Sequence, residues 1–187
     1  RYEDPNGQGL SWNHDTGLVV KGEAGMQIMG DWAKGEITNA GATPGDEIAC
    51  MALPGEHTGF VYNADSFEMF KNSNSDEAAQ YAFARTALSP AFQRKFNKAK
   101  GSIPVRQGVS LEGFDACAQK AQTAFKAAVD NNALVPSYSQ DMAENGAVKG
   151  AIFDVIAKFY NDKDMSAKDA ATQMASQAQQ AQMMSQL

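Results

Sequence analysis

Residues 22–35 read Gly22-Glu-Ala-Gly-Met-Gln-Ile-Met-Gly-Asp-Trp-Ala-Lys-Gly35, and they join a short apolar run to an aromatic side chain at its end. Met26, Ile28 and Met29 predict a buried strand, with Gly22 and Gly25 marking its entry. Gly30 allows the tight backbone that throws Trp32 outward at the strand terminus. Ligands of α/β proteins gather at such strand ends. The competing reading is a tryptophan that caps the core, since Trp is usually well buried.

Outward from this stretch, Ser11 to Lys21 predicts a short helix closed by Gly22. On the other side, Gly41 to Gly45 is a loop, and Ile48 to Leu53 predicts a second buried strand ended by Pro54 and Gly55. Phe60 to Asn63 predicts a third. Helices dominate from Asn72 onward. Asn-Ser-Asn-Ser at 72–75 supplies a cap, and Asp76 and Glu77 place negative charge in the first turn, where the helix dipole favours it. Tyr81, Ala82, Phe83 and Leu88 form one apolar face. Ser89 followed by Pro90 restarts a helix on which Phe92, Phe96 and Ala99 recur at helical spacing before Gly101. Ile103 to Val105 is extended. Asp115 to Val129 predicts a helix with Cys117, Ala121, Phe125, Ala128 and Val129 on one side, closed by Asn131 and Asn132. Ser139 is expected to open a long helix carrying Val148, Ile152, Val155, Ile156 and Phe159. Ser166 and Asp169 start the last one as a variant capping box, with Ala170, Met174, Ala178 and Ala181 as a thin packing stripe.

The 187 residues suffice for one sizeable domain or two small lobes, and 43% are hydrophobic, an ordinary globular content. A net charge of −6 without clustered Lys or Arg argues against nucleic acid or an anionic membrane as partner. No apolar run reaches membrane-spanning length, and no basic-then-apolar leader opens the chain. Arg1 stands first without an initiator Met, so an upstream region is expected to be missing. Cys50 and Cys117, with His14 and His57, lack metal-ligand spacing, so no metal site is expected. The cysteines read either as two buried thiols or as one disulfide.

Catalysis would need a nucleophile beside a base, or carboxylates placed to share acid and base work. Neither arrangement is present; Asp31 and Glu36 merely flank Trp32. Gly22, Gly25 and Gly30 lack the order of a phosphate-cradling loop, and no cofactor is expected. A sugar fits better, because a pyranose needs an aromatic face for its C–H surface and planar or charged groups for its hydroxyls. Trp12 and Trp32 supply the first. Asn63 and Asp65, two apart on extended chain, share a face and supply the second. Lys100 ends a helix nearby in sequence order. The plainer readings are a turn or cap for Asp65 beside Ser66, and a solvated charge favoured by the helix dipole for Lys100.

Trp12, the run from Gly22 to Trp32, Leu53-Pro54-Gly55, Tyr62-Asn63-Ala64-Asp65-Ser66-Phe67 and Ala99-Lys100-Gly101-Ser102-Ile103-Pro104-Val105-Arg106 occur here in one order. Taken together they resemble the sugar-binding subunits of bacterial ABC importers, extracellular solute-binding protein family 1, and most of all the glucose-binding type. The resemblance implies an α/β, type II periplasmic-binding-protein-like fold, helix-rich with small sheets, of which this chain is a C-terminal half completed by a missing N-terminal region. It implies a non-enzymatic periplasmic receptor that closes on a monosaccharide such as glucose and presents it to an ABC permease. Trp32 would stack on the sugar with Trp12 in the same cleft, and Asn63, Asp65 and Lys100 would bind hydroxyls. Relatives carry a histidine after the Pro-Ser pair that stands here as Pro136 and Ser137; this chain carries Gln140 there. The oxidising compartment so implied favours a Cys50–Cys117 disulfide.

The family fold further implies second-lobe residues 1–64, a helical excursion at 65–103 packing with the first lobe, hinges near Asp65 and Ile103, and second-lobe helices at 104–187. Helices built to pack on absent strands would leave Phe83 and Phe92 partly uncovered. Two other readings remain open: an extracytoplasmic carbohydrate-active enzyme using Asp65 as acid or base, and a helical interaction module built on the Ala- and Gln-rich tail.

Overall fold

A computed structural model of the chain describes residues 9–52, 59–71 and 74–185. Seven helices and two strands lie within them: α1 (Trp12–Val20), α2 (Ala33–Asn39), β1 (Phe60–Tyr62), α3 (Glu77–Ala87), α4 (Pro90–Lys100), α5 (Ala116–Asp130), β2 (Leu134–Pro136), α6 (Gly146–Asn161) and α7 (Ala167–Met184). The described residues divide into two compact units. The first holds those before Gly59 together with Ser66–Asn132; the second holds Gly59–Asp65 and those from Ala133 onward.

In the first unit, most helix ends follow side-chain chemistry. Asp76, not the 72–75 run, caps α3 through the Ala79 N–H, because its carboxylate reaches a free first-turn donor. Ser89 caps α4 with Pro90 in its first turn, and Gly101 ends it at φ 91°. Asp115 caps α5. The apolar core centres on Leu111, Phe114 and Ala118, with Ile103 packed against them. A disulfide joins Cys50 to Cys117 and so ties the loop after α2 to the first turn of α5. Lys34 on α2 is buried and ion-paired to Asp115 at 3.1 Å, a second tie to the same helix end.

Several expectations for this unit fail. Residues 26–30 carry no ladder, and Met26 and Ile28 are 83% and 72% exposed instead of buried. A strand needs a neighbour for its N–H and C=O groups, and no described segment lies alongside. The segment is held instead by Gln27, which accepts from the Thr16 hydroxyl at 2.8 Å and donates to the Trp12 carbonyl at 2.9 Å. Ile48 makes only an isolated bridge to Pro44, and Met51 is exposed, so the expected second strand is a loop; Leu53 lies outside the described residues. On α4, Phe96 is exposed and stacks on Phe92 at 5.3 Å, while Gln93 and Asn97 are the buried residues. That inversion is tolerable because both amides are satisfied locally, Gln93 donating to Ala87 O at 2.7 Å and Asn97 to Gln93 O at 2.8 Å.

In the second unit, β1 and β2 pair in parallel, with Phe60 opposite Leu134 and Tyr62 opposite Pro136. The short β2 has no expectation behind it; three residues are too few to show a period. The long helix opens at Gly146 rather than Ser139, because Asp141 takes φ 59° and Asn145 caps the helix through the Ala147 and Val148 N–H groups. α6 packs on α7 around Val148, Val155 and Ala170, and Asn145 donates to Ser185 Oγ at 3.3 Å, joining the start of one helix to the end of the other. Met174, Ala178 and Ala181 are half-buried along the α7 stripe, and Ser166 caps that helix as a capping-box variant, its hydroxyl bonded to Asp169.

Candidate functional site

The parallel ladder of the second unit sends both chains out at the same edge, the carboxyl end of β1 and β2. Ser137 N–H donates to the Tyr62 carbonyl at 2.8 Å and extends the pairing one step beyond Pro136. Asn63 therefore leaves β1 beside Ser137. Its amide donates to Asp65 Oδ1 at 3.2 Å, which places the amide and the carboxylate on one face. Asn63 is half-buried and Asp65 exposed.

Gln140 comes to this edge through the turn after β2. Its Oε1 accepts from the Ser137 hydroxyl in a short contact and from the Ser139 hydroxyl at 2.7 Å. Ser137 is buried, and a hydroxyl hydrogen in such a place needs an acceptor. Gln140 Oε1 meets that need. The turn is anchored behind by Tyr138, whose hydroxyl donates to Val148 O at 2.9 Å and whose ring meets Phe153 edge to face, and by the Asp141–Lys149 ion pair at 2.6 Å. Asn63 and Asp65 thus leave the end of β1 as a bonded pair, and Gln140 lies in the turn that follows the paired β2.

Trp12, Trp32 and Lys100 belong to the first unit. Trp32 is the residue before α2, half-buried, with its ring folded back over Gly30; any side chain at Gly30 would occupy the space of that ring. The glycine serves that ring and not a strand exit. Lys100, half-buried, ends α4. A backbone-to-backbone contact at glycines joins α2 to the end of α4. A Cβ at Gly35 would lie 2.7 Å from Lys100 O, and one at Gly101 would lie 2.6 Å from Gly35 N. Trp12, in the first turn of α1, is 40% exposed; α1 packs on α2.

Sequence reading passed over two side chains that organise these clusters. Asp31 accepts from Ile103 N–H at 3.2 Å, joining the turn before Trp32 to the corner after Lys100. Burial pushes its carboxyl above the usual range, against the charges of Lys34 and Lys100 and the hydrogen bonds from Ile103 and Ser102. Ser137 is the other. A polar residue directly after a strand is the signal in its case; for Asp31 it is a carboxylate in the turn opening a helix. Among the described residues no group of His, Cys, Asp and Glu is placed to hold a metal ion, and no helix is long and apolar enough to cross a membrane.

Known proteins match this chain along most of its length. A protein of Brucella suis described as a probable sugar-binding periplasmic protein is 42% identical over 173 residues, covering 92% of this chain and 41% of the relative. A protein of Mesorhizobium japonicum with the same description is 40% identical, over 92% of this chain and 42% of its own length. A Pyrococcus horikoshii protein described as an uncharacterized ABC transporter extracellular-binding protein is 28% identical over 175 residues. The chain therefore spans about two-fifths of the length of the curated relatives it matches. Residues 4–127 match the family model described as bacterial extracellular solute-binding protein. With two-thirds of its length inside that match and its helix-rich fold carrying a small parallel sheet, the chain belongs to the bacterial extracellular solute-binding protein family.

Proposed function

We propose that this chain is the C-terminal portion of a periplasmic receptor that binds a monosaccharide such as glucose in a cleft between two lobes and delivers it to an ABC permease, without catalysing a reaction on it. The carrying observation is the Asn63–Asp65 pair at the carboxyl end of β1, an amide bonded to a carboxylate, with the Gln140 amide in the turn after the paired β2. Adjacent hydroxyls on a pyranose ask for that mixture. Trp32 and Lys100 would contribute a stacking face and a cation, and Trp12 would border the same cleft. The relatives described as sugar-binding support this substrate class.

The lobe bounds expected from the sequence, with hinges near Asp65 and Ile103, belong to the same proposal. The passage of the chain from one unit to the other at Asp65–Ser66 supports the first hinge. So does a further polypeptide portion that completes the cleft. It would cover Phe67, Phe70, Phe83 and Met26, which are 61%, 69%, 47% and 83% exposed.

The test is titration of the intact receptor with D-glucose, followed by tryptophan fluorescence. Asp65→Ala should weaken binding by about 1.5 to 3 kcal/mol, the contribution of a charge-assisted hydrogen bond, and no sugar should be consumed. Unchanged affinity in that variant would place the site elsewhere. Release of product would favour an enzyme using Asp65.

A further inference from the structure

Ser137, directly after β2, makes hydrogen bonds through its N–H, its carbonyl and its hydroxyl. The N–H donates at 2.8 Å to the carbonyl of Tyr62, the last residue of β1 and the one before Asn63. The carbonyl accepts Met142 N–H at 3.0 Å and closes the turn that carries Gln140, which bends at Asp141 with φ 59°. The hydroxyl donates to Gln140 Oε1. One buried residue is thus bonded both to the end of β1 and to the Gln140 side chain.

Gln140 Oε1 also accepts from the Ser139 hydroxyl at 2.7 Å. The two serine oxygens are 3.3 Å apart, farther from each other than either is from Oε1. A carbonyl oxygen has two lone pairs, so two serine hydroxyls use its accepting capacity, and what the amide keeps for a further partner is donation. A glutamine side chain also loses rotamer freedom when a ligand orders it; a side chain ordered beforehand spares the binding step that cost. We propose that Ser137 is a positioning residue of the sugar site, which with Ser139 holds Gln140 in one arrangement beside the end of β1 and restricts it to donating to a sugar oxygen. This rests on the receptor reading above, in which Gln140 touches the sugar.

The experiment titrates D-glucose into four forms of the intact receptor: wild type, Ser137→Ala, Gln140→Ala and the double variant. Ser137→Ala should weaken binding about 5-fold when Gln140 is present and less than about 2-fold when Gln140 is already alanine. A serine that served only the fold would cost the same in both backgrounds; that result overturns the inference, as does wild-type affinity in Ser137→Ala. Ser139→Ala, at an exposed position, repeats the cycle should Ser137→Ala fail to fold, and is judged in the same way. Gln140→Glu keeps an acceptor for both serine hydroxyls and loses the donor. It should weaken binding about 10-fold, and unchanged affinity overturns the assignment of Gln140 as a donor.

A second measurement needs no sugar. In the unliganded receptor the 15N order parameter of the Gln140 side-chain amide should lie above about 0.6 in wild type and fall below it in Ser137→Ala. A mobile amide in the wild type overturns the inference. A wild-type receptor that takes up no glucose instead sinks the receptor reading, and the order parameter then decides by itself whether Ser137 holds Gln140.

Discussion

The two units cohere by different means. The first is tied by a disulfide and a buried ion pair at the start of α5 and by a glycine-to-glycine backbone contact between α2 and the end of α4. The second relies on one parallel strand pair and the packing of α6 on α7, with Val148, Val155 and Ala170 as its buried apolar residues among those described. Cross-links that restrict the unfolded chain or fix a geometry substitute for apolar area where little is enclosed. The difference predicts which substitutions each unit can absorb.

Removal of the disulfide should produce the largest effect. It closes a loop of 67 residues, so the paired Cys50→Ser and Cys117→Ser changes should destabilise the first unit by about 4 kcal/mol on the chain-entropy model. Thermal melts with probes in each unit should show the early transition confined to the first; a matching shift in the second would dissolve the contrast. Lys34→Ala should follow at about 3 kcal/mol, since the lysine is buried while Asp115 keeps some water. In the second unit Val155→Ala removes methyl groups from the best-enclosed position and should cost about 2 kcal/mol, read by urea denaturation. Ser166→Ala should cost about 1 kcal/mol through the loss of the α7 cap. A larger loss there than at Val155 would mean that α7 is held by its end and not by its packed stripe.

What could be read from the sequence tracks how local each interaction is. The caps at Ser89 and Ser166, the start of a helix at Asp115, the stop at Gly101 and the stripe on α7 rest on neighbouring residues, and all are found. The Asn63–Asp65 pair was legible for the same reason, being two residues apart on extended chain. Met26–Met29 and Ile48–Leu53 have strand-like residues, but a strand is a relation between segments, and apolar character alone does not supply the neighbour. The Phe92 and Phe96 face misled because periodicity marks an apolar side without saying what lies opposite it. Ser139 is a good cap by type, yet its hydroxyl is spent on Gln140 and the backbone turns at Asp141 before a helix can begin. The structural role of Asp31 was not legible, because its partner, Ile103, is far along the chain.

The pairing of β1 with β2 carries a consequence for synthesis. Phe60–Tyr62 leaves the ribosome well before Leu134–Pro136, and everything from Ser66 to Asn132 is made in between and belongs to the other unit. The first strand must wait, extended and exposed, while α3, α4 and α5 assemble, and the loop closed by the ladder carries an entropic cost that grows with its length. A newborn chain that still lacks Leu134–Pro136 would thus present a lone edge to any chaperone.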